Sequence, residues 1–296
     1  MNYRHAFHAG NFADLAKHAI LTRLLRELTA TPAALTVIDT HAGAGLYDLA
    51  AEASRRTGEG QAGIARLMAA LDAPAAFDDL KAAVRRVNAP GEGRYYPGSP
   101  VLVAGALRPR DRSIFCELRD DDALALKRVL PRELGALVHR GDGWTQAAKA
   151  ALAAPAALLV LIDPPFERGD DYAEAVRLTA RLLRINRGAA VAIWTPIKDL
   201  ATFDAFLGNL EDAAHGASLL AAEVRLRPLT DPMRLNGCAM VVVNPPPALD
   251  DHARTVVDWI ARNLGEAGAA GRVTRISPRS GGNTGDPRGR GGGEGG

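Results

Sequence analysis

The run Leu158-Leu159-Val160-Leu161-Ile162-Asp163-Pro164-Pro165-Phe166 joins a buried strand to an acid, two prolines and an aromatic ring. Consecutive prolines fix two φ angles and remove two backbone donors, so the chain leaves the strand as a stiff extended turn. Such a turn brings the Asp163 carboxylate and the Pro164 carbonyl into one space, with the Phe166 ring beside them. Two acceptors next to an aromatic plate suit an exocyclic amine on a flat heterocycle, whose ring stacks while its amino hydrogens are held. Asn244-Pro245-Pro246 repeats the device in part, but Pro247 follows and cannot stack a base, so this copy reads as a strand terminator.

Other acids fall at comparable points. Asp39-Thr40-His41-Ala42-Gly43-Ala44-Gly45 closes an earlier strand, with glycines that permit close backbone approach and a tight turn. Glu117, at the next strand's end, is placed to accept two ribose hydroxyls, and Asp142-Gly143 follows the third strand, where it would edge an adenine ring. With Asp163 on the fourth, successive strand ends on one rim make a nucleotide slot that continues into a base pocket.

The elements needed to hold these residues are legible. Phe12, Leu15, Ala16, Ala19, Ile20, Leu24 and Leu28 recur at helical spacing, and Asn11 is a plausible N-cap, so a helix is predicted over Phe12–Thr29. Strands are predicted at Leu35–Asp39, Ser113–Leu118, Ala136–His139, Ala157–Asp163 and Ala189–Trp194, alternating with helices at Asp121–Val129, Tyr172–Leu183 and Leu200–Leu210. This alternation gives an α/β fold with a mostly parallel sheet. Leu219–Leu226 and Gly237–Val243 have no helix between them and are expected to pair antiparallel at one edge. The acid that reads a ribose normally follows the glycine turn by roughly 20 residues. Glu117 lies far beyond that distance, and the interval holds helical patterns (Gly63–Leu71, Phe77–Val87) without a convincing strand. A helical insertion over residues 47–97 is expected, leaving 1–46 and 98–276 as the main domain and 277–296 as a Gly/Arg-rich, disordered tail.

The 296 residues carry 36 Lys plus Arg against 34 Asp plus Glu, so any nucleic-acid contact should be a local patch rather than a uniformly basic surface. The runs Arg55-Arg56, Arg85-Arg86 and Arg108/Arg110/Arg112 are the basic clusters visible in the sequence. Two cysteines, Cys116 and Cys238, each in an apolar run, argue against a disulfide framework. The polar N-terminus is unlike a secretory signal, and no apolar run reaches the roughly 20 residues needed to span a bilayer, so a cytoplasmic chain is expected.

Tyr3-Arg4-His5-Ala6-Phe7-His8-Ala9-Gly10-Asn11, Ala13-Asp14, Lys17-His18, the Asp39–Gly45 turn, Thr57-Gly58-Glu59, Tyr95-Tyr96-Pro97-Gly98-Ser99-Pro100, Asp142-Gly143 and Asp163-Pro164-Pro165-Phe166 together resemble the RlmJ family of 23S ribosomal RNA adenine-N(6) methyltransferases. The resemblance runs in order from Tyr3 to about Pro246, and departs from the family's usual residues at Arg119-Asp120, Thr195 and Pro247. It implies a class I, Rossmann-like methyltransferase fold with a small helical subdomain. It also implies S-adenosyl-L-methionine contacts from His18, His41, Ser99, Glu117, Asp142, Gly143 and Asp163, catalysis by Asp163, and an RNA contact from Tyr3. The expected partner is 23S ribosomal RNA, free or in an assembling large subunit, acted on by a monomer without a metal or a membrane. DNA adenine and protein glutamine are alternative acceptors, since Pro-Pro-aromatic turns serve planar amines and amides alike. A metal-dependent hydrolase built from His5, His8, His18, His41 and Asp163, and a non-catalytic RNA-binding module, are the readings from other classes.

Overall fold

The computed structural model describes residues 4–131, 135–154, 157–230 and 235–277; Tyr3 and the tail from 278 onward lie outside them. Asn11 caps α1 (Phe12–Thr29), its side chain accepting from the Asp14 N–H. β1 (Leu35–Asp39) ends in a turn where Gly43 and Gly45 take left-handed φ values of +63° and +79°. The chain then forms β2 (Leu46–Asp48), α2 (Glu52–Thr57), a π-type turn (Gln61–Ala65) running into α3 (Arg66–Ala69), and α4 (Asp78–Arg86). It returns as β3 (Tyr95–Pro97), which pairs antiparallel with β2 so that the two ends of this excursion are joined. Strands and helices alternate thereafter: α5 (Ser99–Ala106), β4 (Arg112–Glu117), α6 (Asp120–Val129), β5 (Ala136–Arg140), α7 (Gly143–Leu152), β6 (Ala157–Ile162), α8 (Asp171–Ile185), β7 (Ala190–Pro196) and α9 (Leu200–Ala213). Strands β8 (Leu219–Arg225) and β9 (Gly237–Val243), helix α10 (Leu249–Leu264) and β10 (Ala270–Ile276) complete the fold.

The main sheet has the order β10-β8-β9-β7-β6-β1-β4-β5. β7, β6, β1, β4 and β5 run parallel, whereas β9, β8 and β10 join by antiparallel pairing. Strand periodicity sorts the central side chains into two cores. Leu159 and Leu161 face the core shared with α1 and α10, while Leu158, Val160 and Ile162 face the one shared with α7, α8 and α9. Burial on both faces is why β6 reads as a continuous apolar run. It also makes truncation of Leu159 or Leu161 to Ala worth about 2–5 kcal/mol.

Three expectations need correction. The β8–β9 pair is not the edge, because β10 pairs with β8 along its whole length. β10 was obscured by Gly271, Arg272 and Arg275, which break its apolar alternation; an added Cβ at Gly271 would fall 2.8 Å from Val257 C, so a close approach to α10 requires glycine there. The inserted segment does contain strands, β2 and β3, each too short for a periodic signal. Finally, α2, α5, α7 and α10 form at stretches that were not read as helices.

Candidate active site

A cleft of about 750 Å³ opens where the parallel strands end, a size suited to a nucleotide-like ligand with part of a second one. Its position follows from topology. β1 and β6 are adjacent, their connections lead away in opposite directions, and the crevice forms where that order reverses.

At the ends of β1, β4 and β5 the acids are held by main-chain donors. Glu117 Oε2 accepts from the Gly43 N–H (2.8 Å) and Oε1 from the Arg119 N–H (2.7 Å). Burial nevertheless pushes its carboxyl above the usual glutamate range. Asp142 caps α7 by accepting from the Trp144 and Thr145 N–H groups (3.3 and 3.0 Å); burial opposes its ionisation, but these bonds leave it below the usual range. Gly143 permits the contact between that helix start and the β1 turn, since an added Cβ would sit 1.9 Å from the Thr40 carbonyl oxygen. His41 Nδ1 lies 2.7 Å from Thr40 Oγ1 and its ring meets Trp144 edge-on; burial lowers its pKa to about 4. Ser99 Oγ donates to Asp39 Oδ2 at 2.7 Å, and burial raises the Asp39 pKa to about 7. His18 Nδ1 is 2.7 Å from Tyr96 Oη, and burial lowers the His18 pKa to about 3. Its Nε2 is buried without a protein hydrogen bond. All six of the side chains expected at the cofactor, Asp163 among them, line this one cleft together with Gly143 and Pro164.

Asp163 is held differently. Its Oδ2 accepts from Lys17 Nζ at 2.7 Å, and Lys17 also pairs with Asp14 at 3.0 Å. Asp14 is 2% exposed and accepts in addition from the Gly10 N–H (2.8 Å), with His5 Nε2 at 3.0 Å. Burial would raise the Asp14 pKa, but His5 and Lys17 bring it well below the carboxylate range. His8 Nδ1 lies 2.9 Å from Glu59, whose other oxygen accepts from Asn11, so the N-terminal segment is fastened both to α1 and to the inserted segment. His5 and His8 therefore serve separate carboxylates. Among the described residues no group of three or more His, Cys, Asp or Glu is arranged to hold a metal ion.

Phe166 is not the open plate expected of it. It takes a left-handed backbone conformation (φ +50°), is 3% exposed, and packs against Tyr172 (4.7 Å between centroids) and Trp194 (6.0 Å). The second proline leaves no freedom to turn earlier, so the reversal falls on Phe166 and sends its ring beneath the loop. The aromatic side chain that does line the cleft there is Trp194, with Lys17 Nζ 6.0 Å from its ring. Sequence reasoning passed over Trp194, Lys17 and Asp14 as site residues. The available signal was two charged residues, Asp14 and Lys17, among Leu15, Ala16 and Ala19 in a half-helix with no polar face. The second Pro-Pro pair does act as a terminator: β9 runs antiparallel, and Asn244 donates to the Arg187 and Ala189 carbonyls at the opposite end of the sheet.

With this geometry established, comparison with known proteins is decisive. The family described as ribosomal RNA large subunit methyltransferase D, RlmJ, matches residues 32–276. Ribosomal RNA large subunit methyltransferase J of Escherichia coli (strain K12) is 33% identical over 268 residues, covering 90% of this chain and 95% of that protein. The chain belongs to the RlmJ family. The Haemophilus influenzae (strain ATCC 51907 / DSM 11121 / KW20 / Rd) protein of the same name is 32% identical over 265 residues, 89% of this chain and 94% of its own. In three dimensions the RlmJ-family chain resembles the crystal structure of protein LPL1258 from Legionella pneumophila str. Philadelphia 1, with a TM-score of 0.83 and 27% identity over 92% of this chain and 99% of that one. A probable spermidine synthase from Corynebacterium glutamicum ATCC 13032, 11% identical with a TM-score of 0.51 over 91% of this chain and 77% of its own, shares the fold alone.

Proposed function

We propose that this RlmJ-family methyltransferase transfers the methyl group of S-adenosyl-L-methionine to the exocyclic N(6) amine of an adenine in 23S ribosomal RNA. The observation that carries this reading is Asp163 and Pro164 at the end of β6, lining the same cleft as His18, His41, Ser99, Glu117 and Asp142. The residues fit the cofactor. Glu117 has two oriented oxygens for ribose hydroxyls, the start of α7 with Asp142 and Gly143 suits the edge of an adenine, and the buried His18 Nε2 awaits a polar partner. His41 and Ser99 complete the set, with Asp163 touching both cofactor and base. When bound, S-adenosyl-L-methionine supplies an electrophilic methyl on a sulfonium.

The remaining chemistry belongs to the protein. An adenine amine is a poor nucleophile because its lone pair is delocalised into the ring. Asp163 and the Pro164 carbonyl, as fixed acceptors, favour a pyramidal, increasingly acidic nitrogen over the planar one, which is differential transition-state binding. The proton leaving that nitrogen passes to Asp163. Trp194, held from below by Phe166, offers the ring face against which the flipped base packs. Residues 1–46 and 98–276 act as the methyltransferase domain, with 47–97 as a helical subdomain that braces the N-terminal segment. Tyr3 reaches the RNA. The work needs no metal, is done by a monomer, and takes place in the cytoplasm, where ribosomal RNA is. No helix among the described residues is long and apolar enough to cross a membrane.

The test is methyl transfer from radiolabelled cofactor to unmodified 23S and 16S ribosomal RNA transcripts, duplex DNA and total protein, with excess chelator present. Label released as N(6)-methyladenosine from the 23S transcript is expected. Label in DNA or on glutamine would replace the acceptor in this reading, and loss of activity with chelator would reinstate a metal.

A further inference from the structure

The charged lining of the cleft changes sign across Asp163. Along the ends of β1, β4 and β5 it consists of Glu117, Asp122 and Asp142, with Arg119 paired to Asp122. Beyond Asp163 it consists of Arg66, Arg168, Lys198 and Arg227, while Asp171 lies buried behind Arg168 and accepts from its N–H. The remaining acids on the wall are engaged: Glu59 with His8 and Asn11, and Asp14 with His5 and Lys17.

How these cations are held separates them. Arg66 Nη2 donates to the Asn263 carbonyl (2.5 Å), Lys198 Nζ to the Phe166 carbonyl (3.1 Å), and Arg227 Nη1 to the Leu235 carbonyl (3.3 Å). A carbonyl fixes the place of a cation without cancelling its charge. Arg227 also faces Glu266 (2.8 Å), and Arg168 is met by both oxygens of Asp170 (3.1 Å each), so Arg168 has the least charge to offer. Arg66 and Arg227 share one lip, because Asn263 and Glu266 follow one another at the end of α10 and the Glu266 N–H donates to the Leu226 carbonyl. Lys198 stands on the facing lip, after β7. The basic runs visible in the sequence are elsewhere. Arg55, Arg56, Arg85, Arg86, Arg110 and Arg112 do not line the cleft, and Arg108 is bound to Asp111 and to the Thr29, Thr31 and Ala33 carbonyls.

We propose that Arg66, Lys198 and Arg227 are the phosphate contacts that seat the RNA backbone on both lips of the cleft while the target base enters toward Asp163. This rests on the reading of the substrate as RNA. Guanidinium forks suit phosphate oxygens, and carbonyl-anchored cations lose little freedom on binding.

The experiment measures kcat and KM for unmodified 23S ribosomal RNA transcript, and Kd for a short single-stranded RNA oligonucleotide across a potassium chloride series. Arg66→Ala, Lys198→Ala and Arg227→Ala should each raise KM up to roughly fivefold, as exposed ion pairs do. The triple variant should raise it on the order of tenfold or more and flatten the slope of log Kd against log salt by roughly 0.7 per residue removed. kcat and S-adenosylhomocysteine affinity should hold, and Arg184→Ala, on the exposed far end of α8, should match the parent. Arg66→Lys and Arg227→Lys should keep the salt slope, which separates charge from any effect on folding. A triple variant with parental KM and slope overturns the proposal, as does a loss that tracks Tm and is not restored by lysine. A parent enzyme that binds the oligonucleotide with this salt dependence but methylates no RNA would sink the proposed function and leave the surface standing.

Discussion

At the ends of β4 and β5 the carboxylates are held by main-chain N–H groups, and at the end of β6 the carboxylate is held by a lysine. The first arrangement is part of the fold. It orients Glu117 and Asp142 and leaves oxygen lone pairs for the ribose and adenine donors of the proposed cofactor pose, without any bond having to break. The second is an exchangeable partnership between side chains. An incoming amine can take up acceptor capacity on Asp163 while Lys17 stays on Asp14, 3.0 Å away. One half of the cleft is thus a preformed template, and the other is poised to change partners as substrate enters.

The sharpest way to break this contrast is at Asp163. Asp163→Ala should abolish detectable methyl transfer, since losing one preorganised partner costs about 10²–10³ in rate and here the proton acceptor goes as well. Cofactor binding should weaken yet stay measurable by calorimetry, because the template half is intact. Turnover near the parental rate at saturating cofactor would place the chemistry elsewhere.

The next effect is on stability. Lys17 is buried between two carboxylates, so Lys17→Met leaves Asp14 with only His5 and the Gly10 N–H as partners, and the loss should approach the lower end of the about 3–5 kcal/mol that breaking a buried pair costs. Urea denaturation should show that loss, with Asp14→Asn in the same chain recovering part of it. Additive effects of the two substitutions would mean that Lys17 and Asp14 are not coupled.

Reading outward from these residues shows how much the sequence contained. The strands of the parallel half and the rim of acids were legible, because the apolar residues of β1, β4 and β6 lead directly to Asp39, Glu117 and Asp163. Helix α1 was legible to its caps, since Asn11 and Asp14 sit where helix termini favour them. The Lys17–Asp163 pair was not, because its partners are 146 positions apart and no local pattern couples them. The same holds for the cationic lips, where Arg66 meets a carbonyl 197 positions away, while the arginine runs visible in the sequence do not line the cleft. Phe166 was misjudged because a Pro-Pro turn fixes where the chain goes but not which way the next ring points.

A milder substitution probes the template half. Glu117→Gln keeps the shape and the Arg119 N–H contact but replaces a charged acceptor by one oxygen and one amide donor. Hydrogen bonds to charged groups contribute about 1.5–3 kcal/mol, so cofactor Kd should rise roughly tenfold or somewhat more. kcat at saturating cofactor should change little. A fall in kcat with unchanged Kd would show that Glu117 acts on the chemistry, and the two halves would then not be separable.

The smallest effect is a pH dependence within the template itself. His18 is 1% exposed with its pKa lowered to about 3, chiefly by burial, against 6.5 for a free imidazole. Between those values the unfolded chain takes up a proton that the folded protein refuses, so acid favours unfolding there and stability rises as pH climbs from about 3 toward 6.5. His41, with a pKa near 4, adds a slope of the same sign over a narrower window. Asp39 works in the opposite direction. Its folded pKa of about 7 lies above the 3.8 of a free aspartate, so its burial is increasingly costly as pH rises through that interval. Because these slopes oppose one another, the parent enzyme should show a shallow stability profile between about pH 4 and 6.5. His18→Gln removes one of the rising slopes and keeps a side chain able to reach Tyr96. Its stability relative to the parent should therefore improve as pH is lowered from 6.5 to 4.5, whatever the fixed cost of the substitution. Thermal melts in buffers of constant ionic strength read this directly, and a difference in Tm that stays constant over that range would show that His18 is not held neutral by the fold.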